Sequence, residues 1–168
     1  ICLHLPDKKN TANPLLKVEL FYSKALLFIF FQEKTCISSL LEWLDTIAPD
    51  EITNEEALLQ FFYLLTGNDN DTLKHIAEEI TELEDCLANE LKLDYQKTIS
   101  HLRKRLLKRK RYYEMLLEIL DAITENDNQF YSDKGLKRVT LQTNRVNRLY
   151  HSVLSLRDYV TQVREAYQ

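Results

Sequence analysis

Apolar residues recur three and four apart along the last thirty positions of the chain. Val146, Leu149, Val153, Leu156, Val160, Val163 and Tyr167 form a 3-4-3-4-3-4 series, which puts all seven on one stripe of one helix. No Gly or Pro interrupts Val139 to Gln168. At 1.5 Å per residue the segment predicts a rod about 45 Å long. The pattern is still running at Gln168, without the Gly, Asn or Pro that commonly closes a helix. The expectation is a stalk that leads on to a further part of a longer protein.

Two earlier stretches carry matching stripes. Leu73, Ile76, Ile80, Leu83 and Leu87 predict a helix from Thr72 to about Lys92, capped by Asp71. Ile99, Leu102, Leu106, Tyr113, Leu116, Leu120 and Ile123 predict another from about Tyr95 to Ile123, its stripe broken at Arg109. Residues Glu125 to Lys134 read as a polar connector, with Gly135 just after it. Further upstream, Thr35 caps a helix carrying Ile37, Leu40, Leu41, Leu44 and Ile47 that Pro49 ends, and Asn54 caps Glu55 to Thr66.

The first thirty residues follow a different period. Ile1 to Leu5 and Leu16 to Tyr22 alternate apolar and polar, as strands with one wet face do, and Asp7 to Pro14 is a loop. Ala25 to Phe31 is apolar throughout, which predicts a strand covered on both faces. Ser23-Lys24 would turn this pair into a hairpin. Strands first and helices later mean an α+β fold: a small mixed sheet covered by helices, then long antiparallel helices ending in a stalk helix. Three portions are expected: an α/β part at 1–70, a long helical pair with its connector at 71–134, and the stalk at 135–168.

Composition removes several function classes. The net charge is −4 and the pI about 5.6, so nothing draws the whole chain to nucleic acid or an anionic membrane. Cys2, Cys36 and Cys86 form no close pair, which gives no cysteine zinc site and suits a reducing compartment. The longest apolar run, Ala25 to Phe31, is far short of the roughly 20 residues of a membrane span. His4, His75, His101 and His151 make no paired ligand motif, and His151 reads as an interface hydrogen-bonding group on the stalk. With no Gly-rich phosphate loop and no Gly-x-Ser-x-Gly, the chain does not read as an enzyme, and no catalytic residue is assigned.

Two charged faces remain. Glu78, Glu79, Glu82 and Asp85 lie three and four apart, close enough to share a face and to hold or enrich a hard cation such as Mg²⁺ through oxygen ligands and water. The plain alternative is a solvated acidic face. Arg103 to Arg111 holds seven basic residues in nine. That run could meet nucleic acid, but an intramolecular or intersubunit charge face is the stronger reading, because antiparallel packing would set it beside the acids.

The sequence resembles the cytoplasmic domain of CorA-type divalent-cation transporters. The likeness rests on the hairpin Val18 to Phe31, the acidic Ile80-Thr-Glu-Leu-Glu-Asp85, the stretch Leu102 to Leu117 followed by Thr124-Glu-Asn-Asp-Asn128, and above all Arg145-Val-Asn-Arg-Leu-Tyr150 leading to Leu156 through Gln168. The resemblance implies a homopentameric transporter of Mg²⁺, or of Co²⁺ or Zn²⁺, in the cell membrane, with this domain in the cytoplasm. The ion would be both cargo and regulator, and the stalk would carry gating to a pore. Val146, Leu149, Val153, Leu156, Val160 and Val163 would then be candidates for the stalk and subunit interface. The family's Gly-Met-Asn motif and membrane helices are absent from this sequence, so the fragment alone would not conduct. Its acidic stalk ligands do not transfer either, since Leu136 to Ser152 contains no Asp or Glu. The competing expectation is a freestanding helical scaffold or adaptor that binds a protein or nucleic-acid partner through its basic helix.

Overall fold

The computed structural model describes residues 1–6, 15–48, 52–88 and 95–166. The expected loop at 7–14, the stop at Pro49, the far end of the acidic helix with Glu90, and Tyr167 lie outside these residues.

Strands β1 (Cys2–Leu5), β2 (Leu16–Tyr22) and β3 (Leu27–Phe31) form one sheet in that order. Both pairings are antiparallel, with Leu3 opposite Val18 and Leu20 opposite Ile29. No parallel pair occurs among the described strands. The hairpin turn takes four residues: the Ser23 amide donates to the Leu26 carbonyl at 2.8 Å. Ala25 and Leu26 are therefore turn residues, and β3 starts two residues later than its apolar run suggests.

Alternation decides which face is dry. Leu3, Leu5, Val18 and Leu20 are buried toward the helices. Phe21, Phe28 and Phe30 point the other way and are more than half exposed. The expectation that both faces of β3 are covered is corrected: it is an edge strand with one face against the core. An apolar run is consistent with double burial but does not require it. The three rings shield one another, Phe21 edge-on to Phe30 at 5.8 Å and Phe28 stacked on Phe30 at 6.4 Å.

A 3₁₀ turn at Lys34–Cys36 leads into α1 (Ser38–Leu44). Thr35 sits inside that turn, its hydroxyl on Glu33, and caps no helix; Ile47 falls beyond the end of α1. Helix α2 (Asn54–Leu65) is capped by Thr53 rather than Asn54: Thr53 Oγ1 accepts from the Glu56 amide, and the Glu56 carboxylate accepts from the Thr53 amide. This reciprocal pair satisfies two amides that otherwise lack partners at a helix start. It also holds the Glu56 carboxyl below its usual range, chiefly through the Thr53 amide.

Helix α3 (Asp69–Ala88) begins two residues before the expected cap, so Asp71 lies in its first turn. Helix α4 (Tyr95–Glu125) agrees with its stripe. Helix α5 (Asp133–Ala166) starts earlier than the apolar pattern does and spans 34 residues, about 51 Å. Asn126 makes the break between α4 and α5. It takes a left-handed φ of 48°, and its side chain bonds both the amide and the carbonyl of Tyr131. Asn tolerates that conformation better than most residues, so the chain reverses there. Tyr131 then stacks on Tyr22 at 5.2 Å and ties the connector to the sheet.

The buried stripes of α3, α4 and α5, the inner face of α2 and the dry face of the sheet make one continuous core. That core runs through all three expected portions of the chain.

Candidate functional site

Antiparallel packing of α3 and α4 sets acids beside bases. Arg105 reaches Glu79 at 2.5 Å, with the guanidinium mostly covered. Glu78 turns instead to its own helix, meeting His75 at 3.1 Å and Lys74 at 3.9 Å. Glu82 and Asp85 are exposed. Glu84 accepts the Tyr159 hydroxyl of α5, and that bond raises the Tyr159 pKa. The four candidate carboxylates thus share a helix, but Glu79 is engaged by α4. No group of three or more His, Cys, Asp or Glu among the described residues is arranged to hold a metal ion. Within one chain these residues form a negative face rather than a metal cage.

The basic run divides in the same way. Arg105 and Arg109 turn inward, Lys110 pairs with Glu114 one turn on, and Arg103, Lys104 and Arg111 are exposed. Lys110 is the main cause of the low pKa of Glu114. The break in the α4 stripe at Arg109 has a partner that the periodicity did not reveal. Asp69, buried at the start of α3, lies 3.4 Å from Arg109 and accepts the Tyr113 hydroxyl at 3.0 Å. Burial, and then the Asp69 charge, push the Tyr113 and Tyr112 hydroxyls well above the ordinary range. A buried carboxylate needs such partners, since an unpaired one costs several kcal/mol. The signal was the cation itself, placed where an apolar residue was due.

Helix α5 touches each of α2, α3 and α4. Val146, Leu149, Val153, Val160 and Val163 are buried and Leu156 is half-buried, so within a single chain the stripe packs against its own helices. Tyr150, Leu154 and Tyr159 are half-buried beside it, and His151 is exposed. Polar contacts fix the rod at intervals. At its start the Ser132 amide and hydroxyl donate to Glu55 of α2, and the Gly135 amide donates to Ser132 Oγ at 3.0 Å. Further along, Gln142 Nε2 donates to the Phe62 carbonyl and to Thr66 Oγ1. Arg145 donates to the Thr66 and Gly67 carbonyls and covers the Tyr63 ring at 4.6 Å. Those carbonyls end α2, where a cation also suits the helix dipole. Beyond them, Tyr150 donates to Glu114 at 3.2 Å and Tyr159 donates to Glu84. The rod is therefore held by polar bonds to three different helices, and a shift in any of them would act on it.

No helix among the described residues is long and apolar enough to cross a membrane.

Three comparisons with known proteins bear on this architecture. The family profile described as CorA-like Mg2+ transporter protein matches residues 1–168. No curated protein matches the chain. Among solved structures, the cytoplasmic domain of ZntB from Vibrio parahaemolyticus RIMD 2210633 superposes with a TM-score of 0.79 at 14% identity, over 99% of this chain and 66% of that one. The chain thus spans just under two thirds of that structure, and at this identity the likeness is one of fold.

Proposed function

The chain belongs to the CorA-like Mg2+ transporter family, and from that premise we propose that it is the cytoplasmic regulatory part of a membrane transporter for divalent cations. The cargo is Mg²⁺ or a related ion such as Co²⁺ or Zn²⁺. The fragment itself neither conducts nor catalyses. The observation that carries the reading is the placement of α5, a 34-residue rod with bonds to α2, α3 and α4 along its length.

In the full-length protein, several copies, by family a pentamer, would set their soluble parts around one axis. Divalent ions drawn to the acidic face of α3, at Glu78, Glu79, Glu82 and Asp85, would hold neighbouring copies in the closed arrangement. One chain offers no complete set of ligands among its described residues, so the site would be shared between copies or filled through water. Such an ion biases the pore only as far as it binds one arrangement better than the other. The rod would pass that bias toward the membrane. The scaffold reading has less support, because Arg105, Arg109 and Lys110 of the basic helix are already engaged by carboxylates.

The test is transport by the full-length protein in proteoliposomes, read with fluorescent indicators for Mg²⁺, Co²⁺ and Zn²⁺. Uptake of at least one of them, above that of empty vesicles, is expected. A full-length protein that moves none of the three would overturn the assignment.

A further inference from the structure

We infer that the groove between the first turns of α4 and the last turns of α5 is a binding site for a phosphate-class oxyanion. A cavity of about 430 Å³ opens there, lined by Tyr95, Ser100, Arg103, Lys104, Arg157 and Arg164, with apolar wall from Ile99 and Leu107. Four cations from two helices converge on one space. No carboxylate lines it among the described residues.

Three cations of the basic run are met by acids, Arg105 by Glu79, Arg109 by Asp69 and Lys110 by Glu114. Arg103 and Lys104, which line the groove, are exposed. Among the described residues, the ion pair formed there is a 3.5 Å contact between Arg164 Nη2 and Glu165, its own exposed neighbour in sequence. Arg164 Nε is fully covered and has no hydrogen-bond partner among the described residues. A buried donor without an acceptor costs roughly 1–3 kcal/mol, so this end of Arg164 is held at a cost beside three further cations.

The chemistry selects an oxyanion. Guanidinium forks suit phosphate oxygens in bidentate contact, and lysine adds a point charge. The Tyr95 and Ser100 hydroxyls add neutral donors on the same wall. The cavity is far larger than a single monatomic ion, and the Ile99 and Leu107 wall accommodates an organic substituent on the phosphate. A soluble phosphate compound and a lipid headgroup share this chemistry. The inference does not depend on the transporter reading, since it rests on the groove alone.

The test uses the 168-residue chain. Inorganic phosphate and pyrophosphate are titrated by calorimetry against a chloride background at constant ionic strength. In parallel, the chain is floated with vesicles of phosphatidylcholine alone and of phosphatidylcholine containing phosphatidic acid. Binding in either arm supports the site and identifies its source, free oxyanion or headgroup. Arg103→Gln with Lys104→Gln, at two exposed positions that should not disturb folding, is expected to weaken binding about tenfold or more, as loss of charge-assisted bonds does. Arg164→Gln, which removes the cation at the α5 end of the groove, should weaken it as well. Arg111→Gln, on the same run but outside the groove, should leave it unchanged. Absence of binding in both arms would overturn the proposal. So would an equal loss in Arg111→Gln, which would mark a diffuse charge effect.

Discussion

Single residues explain where this chain departs from its own periodicity. Arg109 stands in an apolar stripe because Asp69 faces it, and each is only about a tenth exposed. Arg109→Leu would leave a buried carboxylate with only the Tyr113 hydroxyl, and is expected to cost about 3 kcal/mol in urea unfolding. Adding Asp69→Asn removes the stranded charge, and the double variant should recover about half of that loss. A double variant no more stable than Arg109→Leu would show that the pair is not coupled. The tyrosines supply a second test. Burial pushes the Tyr131 pKa up to about 12, and Tyr112 and Tyr113 are also shifted upward. The folded state thus holds these protons more tightly than the unfolded chain, whose phenols titrate near 10. The stability they confer is fully present below pH ~10 and is lost as the pH rises through about 12. Absorbance at 295 nm should therefore show one set of phenols ionising in the folded state and a second set ionising only with unfolding, as circular dichroism is lost. A single smooth titration that finishes before unfolding would contradict this.

At the scale of elements, the sequence was most legible where packing imposes a period. The stripes of α3, α4 and α5 appear as spacing because each helix buries one face, and the predicted face is the buried one. Ends were less legible, because they depend on single hydrogen bonds. Thr53 and Glu56 carry the Thr-x-x-Glu signature of a capping box, yet Asn54 is an equally plausible cap by residue type. The outer face of β3 could not be read at all. Phe28 and Phe30 look like core residues by type, and only the absence of a covering layer among the described residues makes them surface. The start of α5 depends on a contact between distant segments. A Cβ on Gly135 would fall 1.7 Å from Glu55 Oε1, the carboxylate that accepts from Ser132. Gly→Ala inside a helix ordinarily stabilises by about 1 kcal/mol. At position 135 the gain should vanish or reverse, because Glu55 must leave Ser132. In a Glu55→Ala background the ordinary gain should return, as thermal unfolding of the four chains can measure. A stabilising Gly135→Ala in the parent chain would refute the contact.

On the scale of the whole molecule, the described residues make a small sheet and two short helices that brace three long ones, with the longest helix bonded to α2, α3 and α4 at intervals. Helix α3, which carries the acidic face, meets the rod of α5 through the Glu84–Tyr159 hydrogen bond. The fold class and the rod were legible from pattern. The oxyanion groove was not, since Arg103 and Arg157 lie 54 positions apart and only antiparallel packing of α4 and α5 brings them to one cavity. The acidic face was visible as spacing, but its engagement with Arg105 was not. The central claim is that divalent ions at that face act through the rod on transport. Its most direct measurement is Mg²⁺ flux through the full-length protein in proteoliposomes, recorded against Mg²⁺ on the cytoplasmic side. The wild type is compared with the combined Glu78→Gln, Glu79→Gln, Glu82→Gln and Asp85→Asn variant. The account predicts that flux falls as cytoplasmic Mg²⁺ rises, and that the variant needs several-fold more Mg²⁺ for the same inhibition. Identical inhibition curves for the two proteins would contradict it.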